Sequence, residues 1–177
     1  MEANKHLITV DEFRQLARPT SSHLDEEEVL AFIRECERMY IIPAIGYKHY
    51  RLALEGSPWS QMFDGTFQAS IALNGGAYTV KQCGVMDEKY CDGMKSALAY
   101  FVYAKMLKAD GTIVSRAGAM RHNDEYASHI DNKEQYNDVM GIAEEYLAST
   151  LAYLQHHSQR KLKKMESTRC RIKSIGE

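Results

Sequence analysis

The sequence lacks the features that mark a membrane or secreted protein. Its longest unbroken apolar run, "ALAYFVYA" at residues 97–104, is far shorter than the roughly 18 residues that a membrane-spanning helix needs. The first ten residues, "MEANKHLITV", hold no basic segment followed by an apolar one. This start predicts a protein made in the cytoplasm without a secretion signal, and no membrane partner is expected.

Cysteine is scarce and widely spaced. Cys36, Cys83, Cys91 and Cys170 are separated by 47, 8 and 79 positions, so no CxxC pair is present. Such spacing argues against a zinc or redox motif and favours free thiols. Cys36 falls on the apolar side of a predicted helix, where a small hydrophobic side chain is expected.

The motifs of common enzymes are also missing. The chain contains no G-x-S-x-G, H-E-x-x-H, P-loop or G-x-G-x-x-G pattern. Residue types that bind divalent ions cluster in a single segment: His122, Asp124, His129 and Asp131. Loop residues of these types are usually solvated, and the adjacent His156 and His157 point to different sides of a helix. We therefore expect no enzyme, and no catalytic, metal-binding or cofactor-binding residue.

What the sequence does contain is helical periodicity. The 45% apolar content of 177 residues supports one folded domain. Thr9 and Glu12 form a capping-box pattern, and four acidic residues open a second amphipathic helix at residues 25–28. Pro43 should end or kink that helix, and "YKHYRLALEG" predicts a further short one.

The strongest pattern covers two long helices. Residues 94–106 are apolar almost all round, which places that helix at the centre of the core, with Phe101 on its main face. A last helix starting near Asp131 carries one apolar stripe and should pack against it. The Asn-Gly-Gly at 74–76 predicts a short hairpin between "SIAL" and "AYTV". The predicted fold is mainly α: a small helical bundle with a long non-helical arm between the last two long helices and possibly a short β-hairpin.

The arm, residues 110–133, is far longer than the usual loop of about 4–6 residues. It holds apolar residues that would be poorly hydrated in a free loop, together with arginines, which are favoured at interfaces. An arm that docks on a neighbouring molecule fits this composition. The predicted subunit or ring interface consists of Ile113, Val114, Arg116, Met120, Arg121 and Tyr126.

Charge is divided unevenly along the chain. The net charge of −2 combines about +5 from Arg160 onward with −7 in residues 1–159. We therefore divide the chain into a helical domain, 1–157, and a basic tail, 158–177, which its polarity predicts to be a frayed helix or a disordered segment until a partner binds. The basic residues of the tail are Arg160, Lys161, Lys163, Lys164, Arg169, Arg171 and Lys173. They could also contact DNA without sequence preference.

An ordered series of segments resembles a known family. "ITVDEFRQL", "DEEEVLAFIRECERMYIIPAIGYKHY", "LNGGAY", the apolar helix, the arm with "SRAGAM" and "NDEY", and the final helix follow one another. Over residues 7–155 this series is similar to the head-tail connector (adaptor, or head completion) proteins of tailed bacteriophages, particularly those of gut Bacteroides. The longer region at 57–93 and the basic tail depart from the simplest members.

The resemblance implies a structural protein in the virion neck, made in the host cytoplasm. It implies a ring, usually dodecameric, that sits under the portal, extends the DNA channel and receives the tail or the next ring. The arm would then contact neighbouring subunits or the next ring, and the tail from Arg160 would reach the portal protein. An acidic body suits a DNA channel because it does not trap phosphates.

Three other functions are open at this point. The basic tail is compatible with a DNA-binding accessory protein. The arm could carry the site of a small enzyme, such as a metal-dependent hydrolase using His122 and Asp124. The chain could also belong to some other structural assembly.

Overall fold

The computed structural model describes residues 6–18, 25–55, 59–82, 84–109, 112–115, 118–121 and 132–173. The helices are α1 (Val10–Leu16), α2 (Glu26–Cys36), α3 (Ile42–Ile45), α4 (Tyr47–Glu55), α5 (Ala69–Asn74), α6 (Met94–Ala109) and α7 (Asn132–Lys173). Two antiparallel hairpins pair β1 (Gly76–Gln82) with β2 (Val85–Cys91), and β3 (Thr112–Ser115) with β4 (Gly118–Arg121). The mainly α fold with a hairpin is confirmed.

The first two helices begin as their sequences predict. Thr9 accepts a hydrogen bond from the amide of Glu12 at 3.2 Å, and the Glu12 carboxylate accepts one from the Thr9 amide at 2.9 Å. Asp25 caps α2 by accepting from the Glu27 amide at 3.0 Å. Both caps satisfy amides that the first helical turn leaves without partners.

Pro43 changes the helix without ending it at once. After α2 the chain makes a π turn, Glu37–Ile41, and continues as α3 until Gly46, whose φ is 81°. Pro43 has no N–H to bond the carbonyl of Met39. The π turn takes up this break, because the Ile42 amide reaches back five residues to the Glu37 carbonyl. The predicted kink is therefore a change of helix type.

The hairpin exists, but the predicted strand and turn were misplaced. Residues 69–74 form α5 rather than a strand, and the chain reverses between Gln82 and Val85, the last pair of β1 and β2. Gly75 and Gly93 instead meet at the base of the hairpin, each with a φ of 88°. A Cβ on Gly75 would lie 2.8 Å from the Asp92 carbonyl oxygen, and a Cβ on Gly93 would collide with the Gly75 amide nitrogen. These glycines allow two chain segments to cross.

Helix α6 lies at the centre of the core. It packs along α7 and also contacts α1, α2 and α5. Its fully buried residues are Met94, Ala97, Leu98, Ala99, Phe101, Val102 and Ala104. The Phe101 ring stacks on Tyr40 with centroids 4.2 Å apart and planes 6° apart. The predicted central position of this helix and its packing against the last helix are both confirmed.

Helix α7 is longer than the sequence predicts. Of the two forms expected for the tail, the structure shows the helix, since residues 158–173 continue α7 without a break in secondary structure. Its apolar stripe buries Val139, Ala143 and Leu154 against the core. No helix in the described part of the chain is long and apolar enough to cross a membrane.

We predict that Phe101→Ala lowers the free energy of unfolding by about 3–5 kcal/mol, because it removes a ring that is 1% exposed at the centre of the core. Urea unfolding followed by circular dichroism measures this change. Tyr47→Ala is the matched control, since that ring is 67% exposed and its loss should cost about 0.5 kcal/mol or less. Equal midpoints for both variants would contradict the central position of α6.

Candidate interaction surfaces

Helix α7 is fastened near its start to the N-terminal region. The Arg18 guanidinium donates to the Asp138 carboxylate at 2.7 Å, and both side chains are partly exposed. This hydrogen bond raises the pKa of Arg18, against the opposing effect of burial. As a partly exposed ion pair it adds little stability, about 0–1 kcal/mol. Its contribution is to orient the two elements.

A second attachment joins α7 to the base of the β1–β2 hairpin. Ser149 accepts a hydrogen bond from the Asp92 amide at 3.1 Å and donates to the Asp92 carboxylate at 2.7 Å. Beside this pair, the buried Cys91 thiol donates to the Thr150 hydroxyl at 3.7 Å. Thr150 also donates to the Tyr146 carbonyl. These contacts fix the hairpin to the middle of α7.

The third attachment is a buried Asp–His pair. Asp64 lies in the loop before α5, and its carboxylate is 2.7 Å from Nδ1 of His157. The same oxygen accepts from the Thr66 hydroxyl at 2.8 Å and the Thr66 amide at 3.1 Å. Tyr153, one turn earlier on α7, accepts from the Gln68 amide at 2.9 Å. Two of these hydrogen bonds join the loop to α7, and the two from Thr66 fix the Asp64 carboxylate within the loop.

Burial alone would raise the pKa of Asp64, but the hydrogen bonds from His157 and Thr66 lower it below its usual value. The carboxylate is therefore held in its charged form. His157 is 4% exposed and packs against the rings of Phe67 and Tyr153, with centroids 5.7 and 4.5 Å away. It is the last buried side chain described on α7.

A fourth polar contact anchors the start of the described chain. Glu37, in the π turn, is 2% exposed. Its two carboxylate oxygens lie 2.7 Å from the Leu7 amide and 2.8 Å from Nδ1 of His6. Burial and the nearby Glu37 charge raise the pKa of Tyr50, so its hydroxyl stays protonated and able to donate. The π turn thus supplies a buried acceptor that the N-terminal segment needs.

The β1–β2 hairpin presents an exposed face that sequence reasoning missed. Val80, Tyr78 and Cys91 face the core side, where the Tyr78 ring meets Tyr153 at 4.8 Å. On β2, residues 85–90 are all exposed. Met86 and Tyr90 lie on the outer face and are each 65% exposed. Side chains alternate between the two faces of a strand, so the residues on this outer face follow from the bounds of β2.

The structure describes part of the predicted arm as a hairpin. Ile113 and Val114 lie in β3, and Met120 and Arg121 lie in β4, with Ile113 opposite Met120. Arg116 and Tyr126 lie outside the described residues. So do the metal candidates His122, Asp124, His129 and Asp131. The backbone described here is non-helical, in agreement with the predicted arm.

The predicted tail residues lie along one helix. The backbone of residues 160–173 continues α7, and this stretch includes Arg160, Lys161, Lys163, Lys164, Arg169, Arg171 and Lys173. Because the helix has no break after His157, the basic segment is connected to the core by a continuous backbone. The predicted basic tail is therefore held on an extension of a core helix.

The described residues bear on two further sequence predictions: the orientations of His156 and His157, and the state of Cys36. His157 turns toward Asp64, and its ring centroid is 5.2 Å from that of His156, with planes 80° apart. The part of the chain that the structure describes contains no group of three or more His, Cys, Asp or Glu arranged to hold a metal ion. Cys36 is a buried free thiol, as expected, and burial raises its pKa to about 12.

The matched region in comparisons with known proteins spans most of these surfaces. Residues 41–170 match a family of unknown function, DUF6712. The chain belongs to this family. The DUF6712 match begins within the π turn and runs nearly to the end of α7. It therefore includes the β1–β2 hairpin and the α7 residues of the three attachments, Asp138, Ser149 and His157. No curated protein and no solved structure matches the chain.

We predict that Asp64→Asn in this DUF6712 protein lowers stability at neutral pH by about 1–3 kcal/mol, because it removes the charged acceptor from buried His157. Since the folded-state pKa of Asp64 is lowered, its contribution is complete above about pH 4 and is lost as the pH falls through the folded value. The wild-type chain should therefore lose more stability than the variant on acidification.

Urea midpoints measured from neutral to acidic pH test this prediction. Glu144→Gln, at an exposed position of α7, controls for the loss of one negative charge. Parallel pH profiles for the wild type and Asp64→Asn would show that the Asp64–His157 pair does not stabilise the fold.

Proposed function

We propose that the protein is a structural virion component of a tailed bacteriophage, a head-tail connector or adaptor. It forms a ring between portal and tail, extends the DNA channel and completes the head. The ordered resemblance over residues 7–155 supports this proposal, as does the mainly α fold with a non-helical segment between α6 and α7. The proposal assigns no reaction, metal or cofactor to the chain.

The observation that carries the proposal is the length of α7. Its 42 residues correspond to about 63 Å at 1.5 Å per residue, whereas about 30 Å already spans a small domain. From His157 to Lys173 the helix extends a further 16 residues, or about 24 Å. A stiff basic extension of this length suits insertion into an adjoining ring, and it has no evident use in a self-contained binding pocket.

The attachments of α7 support the same role. An extension transmits position only if its root is held, and the Asp64–His157 pair holds α7 shortly before the basic segment. The Ser149–Asp92 hydrogen bonds hold the same helix at an earlier position, near its middle. The tail therefore starts from a fixed direction relative to the core, as docking on a portal requires.

Ring closure needs two different surfaces on each subunit, because neighbours in a cyclic ring meet head to tail. In the proposed arrangement the arm, residues 110–133, is one of these surfaces and docks on the body of the next subunit or on the next ring. The tail supplies the portal contact. The resemblance implies a dodecamer in the neck of the virion, assembled from protein made in the host cytoplasm.

A second function is favoured by the same helix. Seven basic residues carried on a continuous helical backbone could neutralise DNA phosphates, as in a DNA-binding accessory protein. The acidic remainder of the chain makes contact with packaged DNA secondary in the connector proposal. The two functions differ in what the loss of the tail removes: portal docking in one, salt-sensitive DNA binding in the other.

We predict that deleting residues 116–126 leaves a folded helical protein that no longer joins a ring. The deletion removes interface candidates and β4 but leaves α6 and α7 intact. Negative-stain class averages of the protein mixed with its portal protein measure ring formation, and circular dichroism measures helicity. A variant that replaces these residues by an equally long Gly-Ser linker keeps the chain length and should fail in the same way. Rings formed by both variants would refute the role of the arm.

Removal of residues 160–177 should spare folding and weaken co-sedimentation with portal. The expected reason is the loss of the basic end of α7. Replacing the seven Lys and Arg by Gln in the full-length chain separates charge from helix length. Unchanged co-sedimentation would exclude the portal role of the tail. Loss of tight DNA binding without loss of portal binding would favour the accessory function.

A further inference from the structure

Strand β2 has an outer edge that is not paired with another strand in the described part of the chain. Within the residues that the structure describes, β2 pairs only with β1. All six residues from Val85 to Tyr90 are exposed. A two-stranded sheet is only marginally stable by itself, and an open strand edge is a template for another strand.

The register of the hairpin decides which backbone groups face outward. A two-residue loop joins Gln82 and Val85, so this pair exchanges hydrogen bonds across the hairpin. Because bonded and non-bonded pairs alternate, Asp87 and Lys89 also bond to β1. The amides and carbonyls of the alternate residues, Met86, Glu88 and Tyr90, therefore point away from β1.

We propose that this edge pairs antiparallel with β2 of a second copy of the chain, about a two-fold axis at Glu88. Such pairing must place outward-facing residues opposite outward-facing residues. The register centred on Glu88 is the one that uses Met86, Glu88 and Tyr90 together. It joins the two hairpins into one four-stranded sheet.

The side chains fit the same register. Met86 comes to lie opposite Tyr90 of the partner subunit, and Asp87 opposite Lys89 of the partner subunit; the two-fold axis generates each pair twice. The first pair covers two apolar side chains that are each 65% exposed in the single chain. The second joins opposite charges. Both kinds of cross-strand pair are stabilising.

Charges on an edge strand usually prevent pairing, and here they select one register. Moving the axis to Asp87 or to Lys89 would also leave one like-charged pair on the axis, but it would lose both Asp87–Lys89 pairs and separate Met86 from Tyr90. In the proposed register only the two Glu88 side chains meet as like charges. Lys81 lies on the same outer face of β1, opposite Met86 and diagonal to Glu88, where it offsets this repulsion.

This inference stands apart from the proposed function. A two-fold contact uses the same surface on both copies, whereas a closed ring uses two different surfaces. Self-association through β2 is therefore a property of the free protein. Its failure would leave the connector proposal intact, and the reverse also holds.

A charge exchange tests the register. Sedimentation velocity over a concentration series should show a reversible dimer for the wild type. Asp87→Lys and Lys89→Asp each put like charges opposite each other twice, so each should weaken dimerisation on the order of tenfold or more. The double variant Asp87→Lys/Lys89→Asp restores opposite charges and should dimerise like the wild type. An equimolar mixture of the two single variants should form heterodimers in preference to either homodimer.

Glu144→Lys, which changes an exposed acidic residue of α7 outside the hairpin, is the control and should dimerise like the wild type. Glu88→Gln removes the repulsion at the axis and should strengthen dimerisation. Circular dichroism checks that every variant is folded. A wild-type chain that stays monomeric at all concentrations would overturn the proposal, as would single variants that dimerise normally or a double variant as weak as the single ones.

Discussion

The structure depends on the burial of α6. This helix has apolar side chains on nearly every side, so it is stable only when other elements surround it. Helices α1, α2, α5 and α7 do so, and Phe101 and Leu98 are almost completely shielded from solvent. The polar contacts then fix elements that already pack around this helix. Glu37 holds the N-terminal segment, and Asp64 holds α7 at His157.

Features governed by neighbouring residues could be predicted from the sequence. The capping box of Thr9 and Glu12, the acidic start of α2 and the central position of α6 all follow from local spacing, and all are confirmed. The Asn-Gly-Gly segment does not form the predicted hairpin turn because Gly75 makes a close tertiary contact instead. Gly75 has a left-handed conformation where the chain crosses Gly93, and this crossing cannot be seen from the local sequence.

Some features of the interaction surfaces could be predicted from the sequence, and others could not. The unusual length of the arm and the basic composition of the tail are visible in the sequence, although whether they act as interfaces stays a prediction. The Asp64–His157 pair could not be predicted, since 93 residues separate its members and no motif links them. The open edge of β2 could not be predicted for another reason: its position depends on where the hairpin turns, and the Asn-Gly-Gly pattern predicts the turn at the wrong glycines.

Because α7 is continuous, it connects the β1–β2 hairpin to the basic tail. The hairpin is bonded to α7 at Ser149 and Thr150, and the tail begins eight residues after Thr150, about 12 Å along the same helix. Two chains joined through β2 would therefore hold their tails in a two-fold relation. A single ring on a portal repeats one rotation and directs every tail toward the same side. Under the two proposals the dimer and the ring are thus alternative states, and portal binding must supply the free energy that draws subunits out of the dimer.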